Sequence, residues 1–344
     1  MLFVLSDSPF SHQKVASQIA KVLSQHIPTK LVLGRFSPSI LYDTVLIVCS
    51  PHGLTNLIMR AISRNRNIKK IIFYATNEGR LKPNYLPKAQ YLHKGILITP
   101  SEFCKKNFEE DGFTVHGIIP HGVEWFGQPK EKNKRIFGYM GGGLCRKYPP
   151  YGVNAVKKTR INFKVIVDNA FRRVITRNTD ISGVLEQLGY KFPDVLDKRV
   201  LRTFAEIVSE NEYDLRKTPD EFIIDFYKSI SFYLNLSDSE GFGITPLEAL
   251  AMGCVVIAPK YAPLTEFLPD FTLWIPTSGK IWIENWWNWL LIQHHHYYEH
   301  EAVKVIKKAF YMKDSVFRDL SKRGIEYAKK YDINKVYVRF LDYV

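Results

Sequence analysis

The chain has 344 residues, long for one compact core and comfortable for two domains. Hydrophobic residues make up 46% and charged residues 24%, a balance that fits a globular protein and excludes a disordered one. Lysine and arginine outnumber aspartate and glutamate by 48 to 34, a net charge of +14, which favours anionic partners: nucleic acid, acidic lipid or phosphorylated small molecules.

The basic excess is uneven. Residues 1–125 carry 15 basic and 8 acidic side chains, whereas residues 221–300 carry 3 and 9, so any anionic surface partner meets other parts of the chain. A run of Arg60, Arg64, Arg66, Lys69 and Lys70 follows a helical stretch. It reads as a solvated helix end, with a surface for anionic lipid or a charged acceptor as the sharper alternative. The four cysteines, Cys49, Cys104, Cys145 and Cys254, form no C-x-x-C pair, and a reducing compartment is expected. The opening MLFVLSDSPF has an apolar run too short for a signal peptide, and no run of about 18 uncharged apolar residues exists. A cytoplasmic protein is therefore expected, with peripheral contact to an anionic membrane as an option.

In chain order, LFVLSD (2–7) predicts a buried strand and HQKVASQIAKVLSQH (12–26) an amphipathic helix. KLVLG (30–34) and TVLIVCS (44–50) predict strands, TNLIMRAISRN (55–65) a helix, and KKIIFYAT (69–76) and GILITP (95–100) strands. Ser101 is placed to cap a helix that ends at Gly112. Strands alternating with helices predict a parallel sheet covered on both faces. GIIPHGVEWFGQPKEKNKR (117–135), with Pro, Gly and a burst of charge, marks a domain boundary, and His121 within it is expected at the hinge.

The pattern then restarts. IFGYMGGG (136–143) is a strand running into three glycines, FKVIVDN (163–169) a strand, DEFIIDFYKS (220–229) a helix, SFYLNLS (231–237) and CVVIAP (254–259) strands. Residues 170–220 are polar and carry no clear pattern. From 282 onward the chain reads as helical, with Trp282, Trp286 and Trp289 on one face, for core packing or an interfacial membrane contact. HHHYYEH (294–300) reads as a solvated histidine-rich turn or helix end, because consecutive residues on a helix point apart and cannot share a metal.

The chemistry concentrates in SDSEGFGITPLEALAMG (237–253). A buried strand points into a turn whose Gly241 and Gly243 allow close approach or positive φ. Thr245 takes the N-cap position, Pro246 N1 and Glu248 N3. A strand, turn and helix N-terminus in that order form a ligand site in α/β folds, and free N–H groups there favour phosphate. Thr245-x-x-Glu248 is also a capping box, which by itself accounts for Glu248. Glu240 has no helix to cap and would be repelled by bare phosphate; a carboxylate there suits hydroxyl groups. Two carboxylates flanking an anion-binding turn fit a ligand with phosphates in the middle and polyols at both ends, as in a nucleotide-sugar.

EGFGITPLE resembles the Glu-x7-Glu motif of retaining glycosyltransferases with the GT-B fold, most like glycosyltransferase family 4 (glycosyl transferases group 1). ILITPSEFCKKNFEEDGF followed by IIPHGVEWF is similar to the end of that family's N-terminal domain. FGYMGGGLCRKYP is similar to its glycine-rich loop with a downstream lysine. Residues 220–259 follow its donor region, and YDINKVYVRFLDYV its closing helix. The resemblance implies an α/β fold of two Rossmann-like domains facing each other across a cleft. Residues 1–125 would bind the acceptor, 126–314 the nucleotide-sugar donor, and helices in 315–344 would return to the first domain.

By the same resemblance Glu240 contacts donor-sugar hydroxyls, Glu248 the ribose, and Gly241, Phe242, Gly243, Ile244 and Thr245 line sugar and diphosphate. Lys147 neutralises the leaving diphosphate. Three departures stand out. Gly142 and Gly143 occupy the place of an arginine, for which Arg146 substitutes. The first loop, SDSPFSHQ, lacks paired glycines. The turn after the fourth strand is YATNEGR, without the usual histidine, which passes the role to Asn77 or Glu78. Glu240, Lys147 and Glu78 are thus the catalytic candidates. No Asp-x-Asp motif is present, so no metal ligand is assigned and no cofactor is expected beyond the substrate, such as a UDP- or GDP-hexose.

The expected reaction is transfer with retention, without a protein nucleophile, to a glycan, lipid or protein acceptor that no motif identifies. The alternatives are a GT-B-fold sugar phosphorylase or nucleotide-sugar epimerase, a non-catalytic member of the fold, and a basic nucleic-acid-binding protein. No pyridoxal-phosphate lysine context supports the phosphorylase. Nucleic acid rests on net charge alone, with no recognition helix, zinc module or stacking platform.

Overall fold

The computed structural model describes residues 1–6, 10–34, 40–51, 62, 64–127, 135–141, 145–147, 149–167, 220–284 and 289–344. The expected helix at 55–65 and the polar stretch 170–220 fall almost wholly outside them. The chain divides into two compact units. The first comprises Met1–Glu124, Trp287–Ile292 and Lys330–Val344; the second comprises Trp125–Trp286 and Gln293–Lys329.

The first unit is built on a parallel sheet of β1 (Leu2–Ser6), β2 (Thr29–Leu33), β3 (Asp43–Cys49), β4 (Ile68–Ala75), β6 (Ile96–Thr99) and β7 (Gly117–Ile118), in the order β2-β1-β3-β4-β6-β7. The short β5 (Gly79–Leu81) stands outside it. Period-2 alternation splits these apolar strands between two cores. Phe3, Leu5, Val45, Ile47, Phe73 and Leu97 lie on one face, and Leu2, Val4, Leu46, Val48, Ile72 and Tyr74 on the other. Both faces are covered, which is why the strands read as continuous hydrophobic runs. Helix α1 (Phe10–Leu23) covers the second face with Val15, Ile19, Val22 and Leu23. Helix α2 (Glu102–Glu110) starts as expected: the Ser101 side chain accepts from Cys104 N. It ends before Gly112, whose φ is +89°.

The second unit has its own parallel sheet, β12-β11-β10-β8-β9, from β8 (Phe137–Gly141), β9 (Phe163–Val167), β10 (Phe232–Leu234), β11 (Val255–Pro259) and β12 (Leu273–Ile275). Its longer helices among the described residues are α3 (Pro150–Thr159), α4 (Asp220–Ser229), α5 (Ile244–Ala251), α6 (Glu299–Phe310) and α7 (Asp314–Ala328). Gly138 lets β8 press onto α4, since a Cβ there would meet Ile230 Cγ2 at 2.7 Å and Phe226 Cζ at 3.0 Å. Helix α7 packs on α5, where a Cβ on Gly324 would lie 2.8 Å from Leu250 Cδ1.

The helical expectation from 282 onward is corrected in its first part. Thr277–Glu284 is strand β13 and Leu290–Tyr297 strand β14; helix begins only at Glu299. Trp282 is exposed on β13 and Trp289 is buried in the first unit's core, so the two share no helical face; Trp286 lies outside the described residues. Leu290, Leu291 and Ile292 pair antiparallel with Leu81, Arg80 and Gly79 of β5. Gly79 is required there, because a Cβ would fall 1.9 Å from the Leu291 carbonyl oxygen.

The last fifteen residues complete the first unit. The helix Ile333–Tyr337 and Phe340 close the second core beside Tyr74, and Tyr337 accepts the Gly122 N–H at 2.9 Å. Cys49, Cys104 and Cys254 are buried thiols outside any disulfide. Among the described residues no helix is long and apolar enough to cross a membrane.

Candidate active site

The second unit's sheet reverses its winding between β8 and β10: β9 lies outside β8 on one side, and β11 and β12 outside β10 on the other. In parallel sheets such a reversal opens a crevice at the carboxyl ends of the two central strands, where their loops diverge. The loop after β8 carries Arg146 and Lys147 in a single turn of 3-10 helix, Cys145–Lys147. The loop after β10 carries Glu240. The Gly142 and Gly143 assignment lies outside the described residues.

The two loops are bonded to each other. Lys147 Nζ donates to Glu240 Oε1. Arg146 Nη1 lies 3.7 Å from Glu240 Oε2 and donates to Ser239 O at 2.9 Å, while Asp238 N donates to Arg146 O at 3.0 Å. The side chains of Arg146, Lys147 and Glu240 are 9%, 16% and 6% exposed, so two cations meet one carboxylate out of bulk water. Charges in such a place interact strongly and tolerate no missing partner.

After Glu240 the chain turns through Gly241 and the buried Phe242, which stacks on Phe267 with centroids 4.2 Å apart. The predicted capping box is not formed. Gly243, at φ +91°, is the N-cap, and no side chain caps α5. Ile244 is therefore the first helical residue and Thr245 the second. Thr245 instead offers its carbonyl oxygen, which accepts from the Tyr227 hydroxyl at 3.3 Å. Glu248, 4% exposed, accepts from the Tyr227 hydroxyl at 2.8 Å. Burial first, and then the Glu248 charge, hold that phenol well above its usual range, so it remains a donor.

The histidine run is also corrected. His294, His295 and His296 lie on β14, and His294 is buried rather than solvated. Its Nδ1 donates to Asp238 Oδ1 at 2.8 Å, and the Tyr151 hydroxyl donates to Asp238 Oδ2 at 2.6 Å. His295 N donates to Asp238 O at 2.8 Å, and Tyr297 OH to Leu236 O at 2.7 Å. The His295 ring stacks on Tyr261, 4.4 Å away at 8°, and burial pushes its pKa down to about 4. Tyr261 in turn donates to Ser237 O at 3.0 Å. Asp238, Tyr151 and Tyr227 were not singled out in the sequence, and His294 only within a run read as solvated; their partners lie 21 to 87 positions away, and no local pattern announces them.

The remaining candidates belong to the first unit. Asn77 is a turn-former: its Oδ1 accepts from Gly79 N at 3.2 Å, and its carbonyl accepts from Cys104 Sγ at 3.0 Å. Glu78, beside it at the carboxyl end of β4, is half-buried. His121 is packed into the unit, with Nδ1 2.9 Å from the Tyr74 hydroxyl; burial, and then neighbouring His12, push its pKa down to about 3. In the basic run, Lys69 pairs with Asp43 at 3.0 Å and Lys70 donates to Val344 O at 2.7 Å. Arg64 and Arg66 are exposed, and Arg60 is outside the described residues.

Comparison with known proteins adds three findings. The family described as Glycosyl transferases group 1 matches residues 210–278, which span β10, the turn and α5. Uncharacterized glycosyltransferase 335 of Sulfolobus islandicus rod-shaped virus 1 is 25% identical over 295 residues, covering 79% of each chain. Among solved structures, sucrose-phosphate synthase of Thermosynechococcus elongatus matches with a TM-score of 0.65 at 12% identity, over 99% of this chain and 97% of that one. Anabaena HepE, solved in complex with UDP and glucose, matches with a TM-score of 0.64 at 14% identity, over 99% and 98%. These likenesses establish the GT-B fold.

Proposed function

We propose that this chain, a group 1 glycosyltransferase, moves a sugar from a nucleoside-diphosphate donor to an acceptor hydroxyl, retaining the anomeric configuration and using no metal. The observation that carries the reading is the meeting of Lys147 and Arg146 with Glu240 at the carboxyl ends of β8 and β10. A diphosphate exchanging onto the two cations would release the Glu240 carboxylate to accept hydrogen bonds from sugar hydroxyls. The N–H groups at the start of α5 add a second anion-binding element beside it. Glu248, held by Tyr227, is the candidate for the ribose hydroxyls.

The chemistry then needs no protein nucleophile. The acceptor oxygen attacks the anomeric carbon on the face from which the diphosphate departs. The bond from that carbon to the phosphate oxygen breaks, its electron pair goes to that oxygen, and the same oxygen takes the acceptor's proton. Lys147 and Arg146 stabilise the charge that grows on the leaving group, in the place where other transferases use a divalent ion. Glu240 positions the sugar. The acceptor is a hydroxyl of a glycan, lipid or protein, and a peripheral membrane location would suit a lipid.

HepE was solved with UDP, which makes UDP the first nucleotide to try. Thermal unfolding with UDP, GDP, ADP, TDP and their sugars, with EDTA present, tests the reading. A ligand at 100 times its dissociation constant stabilises by about 2.7 kcal/mol, a shift of a few degrees. One nucleotide family should produce it, and Lys147→Ala should abolish it. No shift with any nucleotide would overturn the assignment.

A further inference from the structure

Strand β10 ends at Leu234, so the backbone from Asn235 to Ser239 leaves the sheet before it reaches Glu240. Buried carbonyls in such a segment need partners from elsewhere. They come from one element and its neighbours. Leu236 O accepts from Tyr297, Ser237 O from Tyr261, Asp238 O from His295 N, and Ser239 O from Arg146. Asp238 is the centre of this brace, with both carboxylate oxygens, its N–H and its carbonyl all bonded.

Asp238 also stands between the two charges of the site. Its N–H is fixed to the carbonyl of Arg146, the neighbour of Lys147, and Glu240 follows two residues later. Its side chain is held from one side by Tyr151 on α3 and from the other by His294 on β14. The Tyr151 ring is wedged edge-on against His296 and Tyr297 at 4.5 and 4.6 Å. A shift of Asp238 therefore moves Arg146 and Glu240 together.

We propose that His294 is a positioning residue for the transfer reaction, acting through Asp238 to hold Glu240 and Arg146 in register. This rests on the donor-site reading above. The effect of His294 runs through the Asp238 carboxylate, to which its Nδ1 donates. Because a misplacement of about 1 Å can cost about 10²-fold in rate, the loss should fall on turnover more than on folding.

The test compares wild type with His294→Phe, which fills the space without a donor, and His294→Asn, whose Nδ2 replaces the Nδ1–H. Tyr151→Phe, at a half-buried position, is the milder companion. Each is assayed for unfolding temperature, UDP-dependent thermal shift, and kcat and donor KM with UDP-glucose. His294→Phe should lower kcat about 10²-fold, while His294→Asn recovers to within about tenfold of wild type at a similar unfolding temperature. If His294→Phe fails to fold, Tyr151→Phe decides, with an expected loss of about tenfold in kcat and an unfolding temperature lowered by only a few degrees, as the loss of one hydrogen bond to a buried charge implies. Wild-type kcat in His294→Phe, or in Tyr151→Phe when that variant decides, overturns the proposal. So does a His294→Asn variant no better than His294→Phe at equal stability. A wild-type protein that shifts with none of UDP, GDP, ADP and TDP would overturn the donor-site reading itself, and this proposal with it.

Discussion

Lys147 Nζ is bonded to Glu240 Oε1, although 93 residues separate them. The contact joins the loops of two adjacent strands, so one substitution reports on both. Glu240→Gln removes the charge that competes with an incoming diphosphate for Lys147. UDP alone should bind Glu240→Gln as tightly as wild type or more tightly, while the extra affinity contributed by the sugar of UDP-glucose disappears. Transfer should fall about 10²-fold. Calorimetry with the two ligands checks this, and an unchanged difference between them would remove Glu240 from the sugar site.

Lys147→Ala acts oppositely. It takes one of two cations from a buried carboxylate, and breaking a fully buried pair costs about 3–5 kcal/mol. Arg146 and the partial exposure of Lys147 reduce that figure. The expected result is a moderate fall in stability together with loss of UDP binding. Lys147→Ala that still binds UDP with wild-type affinity would argue that the lysine serves only to neutralise Glu240.

Tyr227→Phe removes the hydroxyl that donates to Glu248. A hydrogen bond to a buried charge contributes about 1.5–3 kcal/mol, and the unfolding free energy should drop by that amount. Denaturant unfolding measures it. A Tyr227→Phe, Glu248→Gln double variant should lose less than the sum of the two single changes, since they break the same contact.

Gly243→Ala tests the strain in the turn. Gly243 holds φ at +91°, and an added Cβ would lie 2.8 Å from Leu264 Cδ2. The left-handed backbone alone costs an alanine about 1–2 kcal/mol. Trimming Leu264 should not restore that stability, because the side chain can move and the dihedral cannot. Full rescue by Leu264→Ala would show that crowding, not backbone, sets the requirement.

The pH dependence of stability has a definite sign. His121 titrates near 3 when folded and near 6.5 when unfolded. Between those values the unfolded chain binds a proton that the folded one refuses. Stability is therefore full above about 6.5 and falls as pH drops toward 3, at up to about 1.4 kcal/mol per pH unit for this group. His295, with a folded value of about 4, adds to the same trend. A His121→Asn variant should flatten the acid limb of a denaturation series; an unaltered limb would place the effect elsewhere.

The alternation of strands and helices was legible because buried parallel strands are apolar on both faces. Ser101 declared its helix through local chemistry alone. The stretch from 282 to 297 was not legible. Its tryptophans match a helical period, but β14 changes surroundings midway: Leu290–Ile292 pair with β5 in the first unit, whereas Gln293–Tyr297 belong to the second. Its buried positions, Leu290, Gln293, His294 and Tyr297, fall at the i, i+3, i+4, i+7 spacing of a helix face, so the strand imitates a helix in sequence. Glu248 misled in another way, since Thr245-x-x-Glu248 fits a cap while Gly243 occupies the capping position. For His294 the missing information was a partner 56 residues away.

The first unit is assembled from three separated pieces of chain, and its second core is closed by Ile333, Val336, Tyr337 and Phe340. A ribosome joins those residues to the chain only after all of the second unit has been synthesised. The nascent first unit must wait, with Tyr74 and its neighbours uncovered, for a segment more than two hundred residues downstream. Closing so long a loop is slow even where it is not costly. The second unit, whose segments are Trp125–Trp286 and Gln293–Lys329, receives its final residues earlier. A chain truncated after residue 329 would therefore carry every segment of the second unit but leave the first unit's core open at Tyr74, and limited proteolysis should cut its N-terminal half first.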